Sequence, residues 1–327
     1  MESFTAAGKT TVLGTDGNVH DPSLDSSANI VIVAYLIENV SEFRELAELR
    51  KMGWNNPKGD AFFKKQRRNA DEGNERIAVY FYRLMKTIGH ELQDHASAFT
   101  AHGSKSEPPS ILDMCMAPGG FLATALGLNP ESHALAFSLP TSMGGHHAFL
   151  PENPNVEKRF LDITMLATDM GVQDTPTDHP DTQNFLPQHL KPGQHFDLII
   201  CDGQVLRTHS RASYREKREA RRLVTTQLAL GLEHVKEGGT MIVLFHKVEA
   251  WGTVAILRRF HKFASVRLFK PKSGHAKRSS FYMIATDIQS QHPEAVLAVV
   301  QWKNIWRAAT FGSDEEYERT LRDGEPD

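Results

Sequence analysis

The chain has 327 residues, a net charge of −3, 40% hydrophobic and 24% charged residues, which excludes wholly disordered, collagen-like and coiled-coil proteins and leaves ample material for a packed core. The near-neutral balance gives no global attraction to polyanions, so a nucleic-acid partner has to be met by a local basic surface. Two cysteines, Cys115 and Cys201, are too few for a disulfide framework or a four-thiolate zinc site and fit a reducing compartment.

In chain order, residues 1–40 form a polar segment, Asp/Ser/Gly-rich over its first 30 residues. Its start lacks the charged-then-apolar pattern of a secretory signal. No apolar run reaches the roughly 18 residues of a membrane span, so the expectation is an intracellular protein of cytoplasm or nucleus with no membrane partner. Residues 41–105 read as a helical extension, with Phe43, Leu46 and Leu49, then Ile77, Tyr80/Phe81, Leu84, Ile88 and Leu92 at helical spacing.

From 106 to 290 the texture changes to short apolar runs at 111–116, 134–139, 159–163, 197–202, 240–247, 265–271 and 279–286, separated by helix-like segments. This pattern predicts an α/β domain: a seven-stranded, mostly parallel sheet with helices on both faces. The short KPKSGHAK connection leaves no room for a crossover helix, so the last two strands form an antiparallel pair. The Pro-, His- and Asp-rich stretch 141–195 reads as an insertion. A C-terminal helix at 291–311 and an acidic tail at 312–327, expected to fray, complete the chain.

The sharpest motif is Asp113-Met114-Cys115-Met116-Ala117-Pro118-Gly119-Gly120-Phe121, between an apolar strand and the helix-like FLATALGL. A glycine pair there permits close backbone approach, and the following helix N-terminus offers unpaired N–H groups, which together describe a nucleotide-type cofactor site. G-x-G-x-x-G is absent and the second strand runs into Pro140 with no acidic residue, which disfavours a dinucleotide.

The run D-x-C-x-A-P-G-G-F resembles the cofactor motif of FtsJ-like (RrmJ-type) ribose 2′-O-methyltransferases, Rossmann-like class I enzymes that use S-adenosyl-L-methionine. The resemblance continues through Leu161-Asp162-Ile163-Thr164, Phe196-Asp197-Leu198-Ile199-Ile200-Cys201-Asp202-Gly203, Gly238-Gly239-Thr240 leading to Lys247, and Lys270-Pro271 followed by Arg278-Ser279-Ser280-Phe281-Tyr282-Met283, covering about 60–290. It implies cofactor contacts at Asp113, Cys115, Ala117, Pro118, Gly119, Gly120, Phe121, Asp162 and Asp202. It also implies a Lys-Asp-Lys-Glu catalytic set: Asp202, Lys247 and a first lysine read as Lys65, with Lys64 and Lys86 as alternatives. At the fourth position this chain has Ser280 where the family carries Glu.

The implied activity is transfer of a methyl group to an RNA ribose 2′-hydroxyl, with Lys247 as base and Asp202 orienting its amine. The alternatives are a methyltransferase acting on a small molecule or protein, and an inactive FtsJ-like scaffold that binds cofactor or RNA; a protein partner is unidentified. Arg211, Arg215, Arg218 and Arg222 fall at helical spacing after Arg207, and this stripe reads either as an RNA phosphate contact or as a solvated helix face. His146, His147, His179, His189 and His195 show no i, i+4 ligand pair and read as surface histidines, so no metal is predicted.

Overall fold

The computed structural model describes residues 26–54, 56–71, 75–101 and 107–323. The first 25 residues of the polar segment and the last four of the acidic tail lie outside them. Four helices come first: α1 (Ser26–Asn39), α2 (Ser41–Trp54), α3 (Pro57–Asp71) and α4 (Glu75–Ala96). The sheet then builds through β1 (Ser110–Asp113), α5 (Gly120–Leu128), β2 (His133–Ser138), β3 (Val156–Phe160) and β4 (Phe196–Cys201). It continues with α6 (Glu219–His234), β5 (Val235–His246), α7 (Trp251–Phe260), β6 (Ser265–Phe269), β7 (Ser280–Ile288), α8 (Pro293–Phe311) and α9 (Asp314–Asp323).

The seven strands lie in the order β3-β2-β1-β4-β5-β7-β6. β1 to β5 are parallel, and β7 runs antiparallel to both β5 and β6. The strand direction reverses where the short connection demands it. The sheet alternates between two apolar layers, as the period of two along a strand requires. Ile111, Leu198, Ile200, Ile242, Leu244 and Tyr282 face Ile88 and Leu92 of α4 and Phe121 and Leu122 of α5. Leu112, Ile199, Met241, Val243 and Met283 face α6, α7 and α8.

Element limits differ from the sequence reading where backbone geometry or tertiary packing intervenes. The strand expected at 159–163 is Val156–Phe160. β5 begins at Val235, and Gly238 lies within it at φ 78, beside a register shift against β7. The segments read as a polar end and a fraying tail hold helices at Ser26–Asn39 and Asp314–Asp323, the latter secured by Tyr317 against Ala308 and Ala309. Among the described residues no helix is long and apolar enough to cross a membrane.

Candidate active site

β1 ends at Asp113, and the ladder continues one bond further, the Met114 N–H donating to Ile200 O at 2.9 Å. The chain then turns through Ala117 and Pro118 to Gly119, whose φ of 108° is a left-handed value that a side chain would strain. Gly120 has a different reason to lack a side chain. A Cβ there would collide with the Tyr82 carbonyl, the Met85 side chain and the Lys86 amide of α4, so this glycine lets α4 press onto the start of α5. Phe121 is buried against Phe99 and Tyr282, which makes its ring part of the core. Cys115 and Ala117 remain partly open at the strand ends.

Asp202 follows β4, whose Ile200 is in register with Asp113 on β1. The Tyr282 hydroxyl on β7 donates to Asp202 Oδ1 at 2.8 Å. Burial pushes the Asp202 carboxyl up to about 7, the Tyr282 hydrogen bond opposing that rise. Burial also pushes Asp113 up to about 8, opposed by the Cys115 N–H that its Oδ1 accepts at 3.1 Å and reinforced by the charge of Asp202. The following Gly203 is required by packing, since a Cβ there would meet Cys115 Sγ and the Gln227 side chain.

Lys247 follows β5, the neighbour of β4, in a left-handed backbone conformation at φ 51, its N–H donating to Ser279 O at 3.1 Å. Ser280 pairs with His246 across the β5–β7 ladder and is buried. Its Oγ lies 2.6 Å from Nδ1 of buried His275. Sequence reasoning missed His275, because only the folded β6–β7 loop brings it to Ser280 and against the ring of Tyr282. Lys65 is exposed on α3. The Lys86 backbone amide lies against Gly120, and Lys86 Nζ stands 5.9 Å from the centroid of the Tyr82 ring.

Asp162 follows β3, and its Oδ1 accepts the N–H and O–H of Thr164 at 2.9 and 2.8 Å. Its other oxygen accepts from Arg215 at 2.5 Å. A carboxylate has about four lone-pair positions, so Asp162 retains acceptor capacity. A pocket runs from Met114, Cys115 and Leu139 across Leu161, Asp162 and Ile163 to Val205. A second hollow of about 500 Å³ lies around His179, Tyr214, Arg218 and Phe311, and neither lining includes Gly119, Gly120, Asp113, Asp202 or Lys247.

The expected arginine stripe does not form, and neither of its two readings holds. α6 begins only at Glu219, so Arg207, Arg211, Arg215 and Arg218 precede it. Arg207 is exposed. Arg211 pairs with Glu216 at 2.7 Å and donates to Leu206 O. Buried Arg215 donates to Glu219 and Asp162, and buried Arg222 to Glu219, Thr310 and the Thr164 carbonyl. Arg218 binds Asp314 and Gly312 O. Of the five histidines read as surface residues, His179 is packed among Phe185, Tyr214 and Phe311, with its ring nitrogen 3.0 Å from Thr310 O. Among the described residues no group of three or more His, Cys, Asp or Glu side chains could hold a metal ion.

The sheet order, its reversed β7 and a glycine turn beside two strand-end acids define a Rossmann-like class I methyltransferase. The sequence profile of the FtsJ-like methyltransferases matches residues 90–288, and the chain belongs to that family, whose cofactor is S-adenosylmethionine. Solved structures similar to it include the N-methyltransferase NodS from Bradyrhizobium japonicum with S-adenosylhomocysteine, at 12% identity and TM-score 0.35, covering 60% of this chain and 86% of NodS. Human methyltransferase-like protein 13 is also similar, at 12% identity and TM-score 0.35, covering 73% of this chain and 93% of that one. A fibrillarin/Nop5p complex follows at 11% identity and TM-score 0.33, covering 55% and 72%. No curated protein sequence matches the chain.

The residues present fit the family's cofactor. Leu139, Leu161, Ile163 and Val205 supply apolar wall to a pocket whose polar lining includes Asp162, Arg211, Arg215 and Glu219, and Asp162 keeps an acceptor position for an adenine amine. Asp202, partly open after β4, offers an acceptor to a cationic amino group.

Proposed function

We propose that this methyltransferase acts on a ribose 2′-hydroxyl of RNA, with Lys86, Asp202 and Lys247 as its working groups. The observation that carries this reading is the placement of Asp202 and Lys247 after the adjacent strands β4 and β5, beside the glycine turn that α4 and Lys86 cover. When bound, S-adenosylmethionine supplies a methyl group activated toward an oxygen nucleophile. A ribose hydroxyl is a weak nucleophile near neutral pH, so a nearby base has to take its proton. Lys247 Nζ accepts that proton, and its left-handed backbone turn, tied to Ser279, fixes where the amine starts. The Asp202 carboxylate, steadied by Tyr282, orients the amine, and Lys86 closes the site from α4. Lys65, exposed on α3, takes no part in the proton transfer.

The test is transfer of labelled methyl from S-adenosylmethionine to capped and total RNA, followed by digestion to nucleosides. The expected result is label on ribose that disappears in Lys247→Ala and falls strongly in Lys86→Ala. Label on a base, or in a protein or small molecule, overturns the ribose assignment. Cofactor binding with no acceptor at all identifies the scaffold reading, to which Ser280 in place of the family's Glu lends support.

A further inference from the structure

The fold buries or pairs Arg211, Arg215, Arg218 and Arg222, yet it gathers other cations elsewhere. The β6–β7 connection, residues 270–278, carries Lys270, Lys272, Lys277 and Arg278 and no acidic residue. Lys272, Lys277 and Arg278 are exposed. Glu91 of α4, the acid closest to this loop's backbone, is occupied in accepting the Lys272 and Ser273 N–H groups at 2.7 and 3.1 Å. Gly274 packs on Leu84 and Ile88, and Lys270 Nζ ties the carbonyls of Arg278 and Ser280 together. The loop is therefore a braced platform that presents its charges outward.

α3 extends the platform. Lys277 Nζ lies 5.4 Å from the centroid of the Phe62 ring. Lys58 and Lys65 stand four residues before and three after Phe62, which places them on the helix face that meets the loop. Both are exposed. Asp60, two residues from Phe62, points to another side of the helix. At its other end the platform joins the site directly, because Ser279, the residue after Arg278, accepts the Lys247 N–H.

On the reading that the acceptor is RNA, we infer that Lys58 and Lys65 of α3 with Lys272, Lys277 and Arg278 of the β6–β7 loop form the surface that holds its phosphate backbone and feeds a ribose to Lys247. Its chemistry is that of a polyanion track: several cations and no competing acid in the loop. Such a surface contributes affinity and direction without sequence preference.

The experiment is fluorescence anisotropy of a labelled mixed-sequence single-stranded RNA with the full chain across a salt series. The wild type is compared with Lys58→Glu/Lys277→Glu/Arg278→Glu, and with Arg319→Glu on α9 as a single charge-reversal control outside the proposed surface. The triple variant is expected to bind RNA about tenfold or more weaker near physiological salt, with a log–log salt dependence shallower by about 2, since each phosphate contact on a single strand contributes about 0.7. Cofactor affinity and melting temperature should match the wild type, and Arg319→Glu should bind as the wild type does. Equal RNA affinity in triple variant and wild type, with ribose methylation intact in both, overturns the surface and leaves the proposed function standing. A wild type that binds no RNA overturns both. Polyglutamate captured as tightly as RNA overturns the commitment to phosphate.

Discussion

His275 and Ser280 together fill the place where the family resemblance implies a carboxylate. Burial, with the nearby Arg278 and Lys270 charges, pushes the His275 ring down to about 4, so at neutral pH the pair adds no charge beside Lys247. Asp202 is left as the anion of the set, and its state depends on Tyr282. In Tyr282→Phe the carboxyl loses the donor that opposes its rise, so its midpoint moves above about 7. The carboxylate is the working form, so the acid limb of the pH dependence of kcat shifts to higher pH, and activity near neutrality falls about twofold for a shift of half a unit. An acid limb that stays in place would remove Tyr282 from the site. This link was not legible in the sequence, because Asp202 and Tyr282 are 80 residues apart and meet only across the sheet.

At the scale of elements, α6 shows how tertiary structure reassigns residues whose spacing is read correctly. The arginine periodicity is real, but the chain before Glu219 is not α-helical, and the charges are taken up by acids close in the chain, Glu216 and Glu219, and by Asp162 and Asp314. Glu219 is their hub: it accepts from Arg215, Arg222 and the Thr164 hydroxyl. The Trp306 indole of α8 donates to the same Thr164 carbonyl that Arg222 reaches, so the C-terminal helix closes the cluster. In Glu219→Ala two buried guanidinium groups lose their principal partner, and the expected loss of stability is about 3–5 kcal/mol, read by urea unfolding. A loss below about 1 kcal/mol would show that Asp162 and Asp181 suffice to hold Arg215. Since Arg215 also holds Asp162, cofactor affinity should weaken in the same variant.

Over the whole molecule, the N-terminal helices are joined to the site end of the sheet. Arg50 of α2 pairs with Glu249 at 2.7 Å, and Asn29 of α1 accepts the Trp251 N–H at the start of α7, both just beyond Lys247. The buried acid at the centre also leaves a global signature. Asp113 titrates at about 8 in the folded protein against an ordinary 3.8, so the folded state holds a proton that the unfolded chain has released. The stability this proton contributes is complete below about pH 4 and is lost as pH rises to about 8, at a limiting slope of about 1.4 kcal/mol per pH unit. Asp113→Asn keeps an oxygen for the Cys115 N–H and carries no titrating proton. Its unfolding free energy, measured in urea between pH 5 and pH 8, should gain on the wild type as pH rises. Parallel pH profiles would show that Asp113 is ionised in the folded protein.

The sequence by itself determined the strand runs, the reversed final pair, the glycine turn and the strand-end Asp202 and Lys247, because these rest on local signals: apolar period, turn length and backbone freedom at glycine. It also brought out the family, since an ordered set of motifs survives in the chain whatever folds around it. Tertiary structure alone decided that His275 stands behind Ser280, and that arginines near α6 are buried supports while exposed cations gather on α3 and the β6–β7 loop. Charge and periodicity are properties of a segment, whereas burial and partnership are fixed by the elements that pack against it. A spacing of four residues places arginines on one face and cannot say whether that face meets water or Glu219.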